Sequence, residues 1–359
     1  MTDTTRDLTA FGWDARFEAA FAPLAADGFE PGRVVLEHQH IYRVTTARDE
    51  PYATVSGRFR HTATMRADYP ALGDWVAIEP RNDKGRARIQ AVLPRRSRFA
   101  RKVAGQETEA QVVAANVDVV FLVTGLDRDF NLRRIERYLV TTWEGGATPV
   151  VILNKADVCD DVAARRDEVL SVAPGVPVHP VSCRSGEGLD ALTEYTGPAR
   201  TVALLGSSGV GKSTLINRLA GFERLRTRAV RERDSRGRHT TSHRELVVLP
   251  SGGLLIDTPG MRELQLWSVG EAIHDTFDDI RRASGGCHYR DCRHDTEPRC
   301  AVKVAVEAGE IPRTRLENYQ QLQRELDHLA ARQDQRQLAE DKRKDRVIHR
   351  AQRLHTPRE

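Results

Sequence analysis

The 359-residue sequence predicts a multidomain α/β chain with a small all-β barrel first, a parallel-sheet domain next and a short helical module last. Three observations predict it. Five short β-type runs crowd into the stretch from Arg33 to about Arg98. From Val117 onward, apolar strand runs alternate with helical segments, the pattern of a mostly parallel sheet covered by helices. Beyond Ile273, Cys287, Cys292, His294 and Cys300 fall within fourteen residues. A chain of this length exceeds one small core, so two or three domains are expected.

Trp13, Phe17, Phe21 and Leu24, spaced by four, four and three, predict one amphipathic helix in the first 28 residues. The β-type runs are Arg33–Leu36, Ile41–Thr45, Ala53–Val55, Asp74–Ile78 and Arg88–Val92, punctuated by Pro70, Gly73 and Arg81-Asn82-Asp83. Five such strands in so short a stretch fit a barrel of the oligonucleotide-binding (OB) type.

After a basic connector, Val117–Val123 reads as a buried strand and Asn131 to Trp143 as a helix. Val150–Leu153 is the next strand and delivers Asn154; Val176–Val181 follows and delivers Ser182. Thr201–Leu205 feeds a glycine loop and the helix Ser213–Ala220. Leu246–Leu249 and Leu254–Ile256 form an antiparallel pair that ends at Asp257. Ligand groups of such sheets gather at the carboxyl edges of the strands, and every motif below falls at one. A last helix carries Leu316, Tyr319, Leu322, Leu326 and Leu329 on one stripe, and the residues beyond about 331 are polar and charged.

Gly206-Ser207-Ser208-Gly209-Val210-Gly211-Lys212-Ser213, with Thr214 next, matches GxxxxGK[ST] between a strand and a helix. Its glycines let backbone N–H groups curl round phosphates, and the helix N-terminus adds positive dipole. Lys212 is placed to reach the β and γ oxygens, and the Ser213 hydroxyl suits Mg²⁺. Asn154-Lys155-Ala156-Asp157 supplies the base choice. The Asp157 carboxylate can accept from both N1–H and the 2-amino group of guanine. Adenine leaves it unpaired, at about 1–3 kcal/mol or more. Ser182-Cys183, followed by Gly186 and Gly188, occupies the place of the loop that touches guanine O6 through a backbone N–H, although alanine is usual where Cys183 stands. Asp257-Thr258-Pro259-Gly260 completes the set: Asp257 to hold Mg²⁺ through water, the Gly260 N–H to sense the γ-phosphate. The base motif precedes the phosphate loop, the reverse of the ordinary order. The sequence therefore predicts a circularly permuted P-loop GTPase domain.

The threonine that completes Mg²⁺ coordination is either Thr240 or Thr241. Met261 follows Gly260 and cannot orient water, so His239 is the candidate catalytic group, with Lys212 on the phosphates. Cys287, Cys292, His294 and Cys300 predict one structural zinc ion in a closed site, with His288 an alternative imidazole held back by its adjacency to Cys287.

The net charge of +4 hides clustering: nine Lys or Arg in 81–102, seven Arg in 224–238 and seven basic side chains in 342–358. Such blocks predict a polyanion partner. No run of about 18 apolar residues is present, and the N-terminus lacks a signal-peptide pattern. With five cysteines and no disulfide framework, the expected location is cytoplasmic.

Together these residues resemble the circularly permuted, ribosome small-subunit-dependent GTPase family of bacteria, from about Trp13 to Tyr319. The likeness rests on NKAD before GSSGVGKST, Gly237-Arg238-His239-Thr240-Thr241, DTPG, and the Cys/Cys/His/Cys module running on through Glu297-Pro298-Arg299-Cys300-Ala301-Val302. It implies an OB barrel (31–102), a permuted GTPase domain (103–272) and a zinc-binding helical domain (273–330); the residues add an N-terminal helical extension (1–30) and a basic tail (331–359), the tail being longer and more charged than the family's and so a departure from it. It further implies binding to the small ribosomal subunit and its rRNA in late maturation, with GTP hydrolysis stimulated by that particle. A monomer is the simplest expectation for a particle-bound factor, and without an apolar run no membrane partner is expected. His239 aligns with a histidine proposed to act in catalysis in that family. Cys183 and Ser242, where alanine and a third threonine are common, are departures. The competing expectation is an RNA-binding assembly module in which GTP is only a structural or conformational ligand. A kinase using the same loop is disfavoured by Asp157.

Overall fold

The computed structural model describes residues 6–79, 85–103, 106–221, 244–257, 272–328 and 330–331. The chain forms two compact units, Met1–Lys102 with Ala110–Gln265, and Val103–Glu109 with Leu266–Glu359.

In the first unit, helix α1 (Ala15–Ala26) is capped by Asp14, whose carboxylate accepts from the N–H groups of Arg16 and Phe17. Trp13, expected inside this helix, lies ahead of the cap, because Asp14 satisfies the first-turn donors and starts the helix one residue later. Its ring still joins the stripe, 4.7 Å from Trp75 and 6.0 Å from Phe17.

Strands β1 (Glu30–His38), β2 (Ile41–Thr46), β3 (Tyr52–Val55), β4 (Trp75–Glu79) and β5 (Ala87–Val92) pair in the order β1-β2-β3-β5-β4. A further β1–β4 pairing closes the barrel, and β3 runs parallel to β5. A bulge between Val34 and Leu36 bends β1 so that it can face both β2 and β4. Alternation sorts β4: Val76 and Ile78 enter the barrel core with Tyr42, Val44 and Ile89, while Trp75 and Ala77 meet Phe17 and Phe21 of α1. Fully burying one such ring contributes about 1.5–3 kcal/mol. All five expected strands are present, and the arrangement is OB-like. Between β3 and β4 lies a helix absent from the sequence reading, α2 (Gly57–Thr62), capped by Ser56 and anchored by Phe59.

The basic connector is a hairpin, β6 (Arg98–Val103) paired with β7 (Gln106–Ala115). Then follow β8 (Val119–Gly125), α3 (Leu132–Glu144), β9 (Thr148–Asn154), α4 (Val162–Val172), β10 (Val178–Pro180), β11 (Thr201–Leu205), α5 (Lys212–Ala220), β12 (Arg244–Val248) and β13 (Leu254–Asp257). The strand expected over Val176–Val181 is shorter at both ends. Sheet order is β10-β9-β8-β11-β13-β12, parallel except for the β12–β13 pair. Every residue of β8 is buried: Val120 and Leu122 pack with Ile135 and Leu139 of α3, Phe121 and Val123 with Leu215 and Ile216 of α5. Helices on both faces explain the unbroken apolar run.

The barrel continues this sheet, because β1 pairs antiparallel with β12, Leu36 opposite Glu245. Arg43 of β2 adds an ion pair to Glu245 at 2.8 Å. Arg33 is fully buried and donates to the carbonyls of Gly73, Asn116 and Phe11 and to the Thr201 hydroxyl, joining β1 to the start of β11. Burial pushes its guanidinium down to about 10.

The second unit contains α6 (Ala272–Thr276), α7 (Asp278–Ser284), α8 (Ala301–Glu307) and a helix over 313–328, α9. Leu316, Tyr319, Leu322 and Leu326 of the expected stripe are buried, with Tyr319 against Phe277 at 5.3 Å. Leu329 lies outside the described residues. Buried Arg315 of α9 pairs with Asp279 of α7 at 2.6 Å.

Candidate nucleotide site and metal cluster

Strand register brings the motifs to one edge. Gly125 at the end of β8 lies opposite Asn154 at the end of β9, and Leu122 lies opposite Leu205 of β11. Ala203 pairs with Ile256, so Asp257 emerges beside the phosphate loop. Segments far apart in the sequence thus share one carboxyl edge.

Asn154 joins three of them. Its amide Nδ2 donates to the Val210 carbonyl at 2.7 Å, and its Oδ1 accepts from the Cys183 N–H at 3.0 Å. The side chain is buried, so both bonds are shielded from water. Lys155 adopts φ 68° and its ammonium meets Asp127 at 2.6 Å. Burial pushes the Asp127 carboxyl up, but hydrogen bonds from Lys155 and the Asp129 N–H outweigh it and leave the group below the usual range. The Ala156 N–H donates to the Val181 carbonyl. Asp157 is exposed, and its Oδ1 accepts from the Ser182 hydroxyl at 2.7 Å. Ser182 is buried and also accepts from the Ser185 N–H, which fixes the loop. Burial drives the Cys183 thiol up to about 11, so the sulfur is an inert filler at neutral pH.

Gly206, Gly209 and Gly211 have φ of 156°, 85° and 100°. At Gly211 a Cβ would sit 2.2 Å from Asn154 Nδ2, and at Gly206 2.3 Å from the Val123 carbonyl. These two glycines are required by close approach as well as by φ. Lys212 opens α5 and is buried, its ammonium on the Gly206 carbonyl at 2.5 Å and on the Ser207 carbonyl. Ser208 and Gly209 are exposed, while Ser213 and Thr214 are partly exposed in the first turn of α5. Asp257 is partly exposed at the end of β13. Ser213 and Asp257 offer oxygen donors suited to Mg²⁺. His239, Thr240, Thr241 and Gly260 lie outside the described residues.

Residues of the β8–α3 loop also enter the site without having been singled out in the sequence. Asp127 holds Lys155; Asp129 accepts from the Ser207 hydroxyl at 2.5 Å. Acidic residues at a strand's carboxyl edge were the available signal.

In the second unit the ligand atoms of Cys287, Cys292, His294 and Cys300 lie within 4.8 Å of one another. Cys287 Sγ is 3.9 Å from Cys300 Sγ, and His294 Nδ1 is 3.6 and 3.4 Å from those two sulfurs. A tetrahedral zinc site with bonds of about 2.3 Å to sulfur and about 2.0–2.1 Å to nitrogen has edges of about 3.5–3.8 Å. Cys287, His294 and Cys300 already stand at close to these edges, and a shift of about 1 Å or less brings the whole set, Cys292 included, to them. His294 reaches it from φ 60°, its carbonyl held by Gln320 at 2.7 Å. His288 stays outside the cluster, its ring against Tyr289.

The sequence profile of the RsgA GTPase family matches residues 92–267, and that of the 50S ribosome-binding GTPases matches residues 201–338. The second begins at β11, the strand that feeds the phosphate loop. The small ribosomal subunit biogenesis GTPase RsgA of Opitutus terrae is 48% identical over 336 residues, covering 91% of this chain and 92% of that protein. The protein of the same name from Streptomyces coelicolor is 42% identical over 342 residues, covering 93% and 90%. Among solved structures, YjeQ from Thermotoga maritima aligns with a TM-score of 0.63 at 28% identity, over 83% of this chain and 98% of that one. YloQ, a circularly permuted GTPase, aligns at 0.60 and 26%, over 84% and 96%. Permuted motifs on one sheet edge, the barrel, and near-half identity across almost the full length of both proteins agree: the chain belongs to the family of small ribosomal subunit biogenesis GTPases, RsgA.

Proposed function

We propose that this chain is a GTPase that binds the small ribosomal subunit, acts in its late maturation, and hydrolyses GTP to GDP and phosphate faster on that particle. The observation that carries the reading is the Asn154 bridge, which joins the base-reading segment to the phosphate loop through Val210 and to the second base loop through Cys183.

In this reading Asp157 accepts from N1–H and the 2-amino group of guanine, while Ser182 steadies the carboxylate. The Lys155 stem covers the base, and the Cys183 N–H approaches O6. Backbone N–H groups of Ser208 through Ser213, with Thr214 beside them, cradle the phosphates, and Lys212 transfers its ammonium to the β and γ oxygens. Ser213, Asp257 and either Thr240 or Thr241 would hold Mg²⁺, which would supply positive charge to offset that of the phosphates. His239 orients the attacking water, and the Gly260 N–H reports the γ-phosphate. Cys287, Cys292, His294 and Cys300 would hold a zinc ion, which would cross-link the second unit and leave no open position for catalysis.

The five-segment division at 30, 102, 272 and 330, a monomer of 40.2 kDa and a cytoplasmic location belong to the same proposal. No helix of the described residues is long and apolar enough to cross a membrane. Basic blocks at 81–102, 224–238 and 342–358 suit rRNA phosphates. The test is steady-state GTP turnover of wild type and His239→Ala with and without purified small subunits. Stimulation in wild type and its loss in the variant are expected. Nucleotide binding without stimulation in wild type would favour the passive RNA-binding module instead.

A further inference from the structure

Within a phosphate loop built on three glycines at positive φ, the Lys212 ammonium holds the Gly206 and Ser207 carbonyls, and in the GTPase reading it leaves them for the phosphates. Gly206, Gly209 and Gly211 leave the backbone soft, and no side chain caps the N-terminus of α5. Ser207 is held from outside. Its hydroxyl donates to Asp129 Oδ2 at 2.5 Å and accepts from Arg134 Nη1 at 2.7 Å. The same guanidinium nitrogen donates to Asp129 Oδ1 at 2.6 Å, closing a three-membered ring of charge-assisted hydrogen bonds.

The anchor is itself rigid. Arg134 stands in the first turn of α3, where its N–H is capped by Asn131 Oδ1. The Asp129 N–H donates to Asp127 Oδ1, and the Phe130 N–H to the Asp127 carbonyl. Phe130 in turn lies under the Arg165 guanidinium at 4.9 Å. Asp127 holds Lys155, so the stretch 125–131 grips the base-reading motif at one end and the phosphate loop at the other.

We propose that Asp129 and Arg134 are positioning residues that latch the phosphate loop through Ser207 and so set the affinity for guanosine di- and triphosphate. They act by removing loop freedom that binding would otherwise have to remove. Because the β-phosphate is common to both nucleotides, the latch strengthens both equally. The inference rests on the GTPase reading above.

The test measures dissociation constants of a fluorescent GDP and of a non-hydrolysable GTP analogue for full-length wild type, Ser207→Ala, Asp129→Ala and the double variant. Each single change weakens both nucleotides by about 3- to 10-fold, the net range of a typical intramolecular hydrogen bond, since these charged partners are partly exposed to water. The double variant is no weaker than the worse single, since either change opens the same ring. Ser207→Thr, which keeps a hydroxyl, restores binding, and with GTP the loss in Asp129→Ala falls on KM more than on kcat. Unchanged dissociation constants in Ser207→Ala, or losses that add in the double variant, would overturn the latch. A lowered melting temperature with unaltered binding would overturn it as well. Should wild type bind no guanine nucleotide, the GTPase reading falls instead.

Discussion

Replacing Asn154 by Asp changes one atom of a buried bridge and tests the whole site. The carboxylate still accepts from the Cys183 N–H but has no donor for the Val210 carbonyl, which now faces a charged oxygen at close to the present 2.7 Å. An unpaired buried carbonyl costs about 1–3 kcal/mol and an uncompensated buried charge more, so a loss of about 3–4 kcal/mol is expected at pH 8. Burial raises the carboxyl pKa of the folded variant above its unfolded value of about 3.9. Above the folded pKa the full deficit is present. As pH falls through that value the group takes up a proton and can donate to Val210 as the amide does, so the deficit shrinks. Urea denaturation of wild type and Asn154→Asp from pH 8 to pH 5 reads this directly. A deficit below about 1 kcal/mol, or one that does not change with pH, would refute the bridge as the element uniting the three segments.

Three further outcomes follow from other positions. Gly211→Ala combines a positive φ with a Cβ 2.2 Å from Asn154 Nδ2; about 3 kcal/mol of strain and lost hydrogen bonding predicts GDP binding weakened on the order of 100-fold by fluorescence titration. Because the Cys183 thiol is raised from 9.0 to about 11, the unfolded chain loses that proton first. Stability relative to Cys183→Ala then falls as pH rises from about 9 to 11, measurable by denaturation at fixed temperature. Cys292→Ala leaves three of the four ligands and is expected to abolish stoichiometric zinc by elemental analysis and to unfold the second unit selectively by hydrogen exchange.

The barrel and the nucleotide edge were legible because their signals are local. Short β-type runs bounded by Gly, Pro and Asp marked all five barrel strands, and the NKAD and phosphate-loop motifs name themselves by residue type and spacing, whereas the Ser182-Cys183 loop that Asn154 also joins carries cysteine where alanine is usual. The hairpin β6–β7 was hidden by its charge: Arg98-Phe99-Ala100-Arg101-Lys102 reads as a linker when its partner strand is not known. Helix α2 is six residues long, too short for a period to show, although Ser56 three places before Phe59 is its cap. Trp13 continued the helical spacing by accident, and Asp14 was the stronger signal. The latch at Asp129 and Arg134 depends on which strands are neighbours, and that order is a property of the sheet.

The pairing of β1 with β12 has a protective consequence. Without the barrel, β12 would be the terminal strand of the nucleotide sheet and would present a row of unsatisfied N–H and C=O groups to other chains. β1 caps part of that row, and the Arg43–Glu245 ion pair holds the cap in place. A chain shortened to begin after the barrel is therefore a candidate for edge-to-edge self-association, and the barrel guards its neighbour against aggregation whatever else it binds.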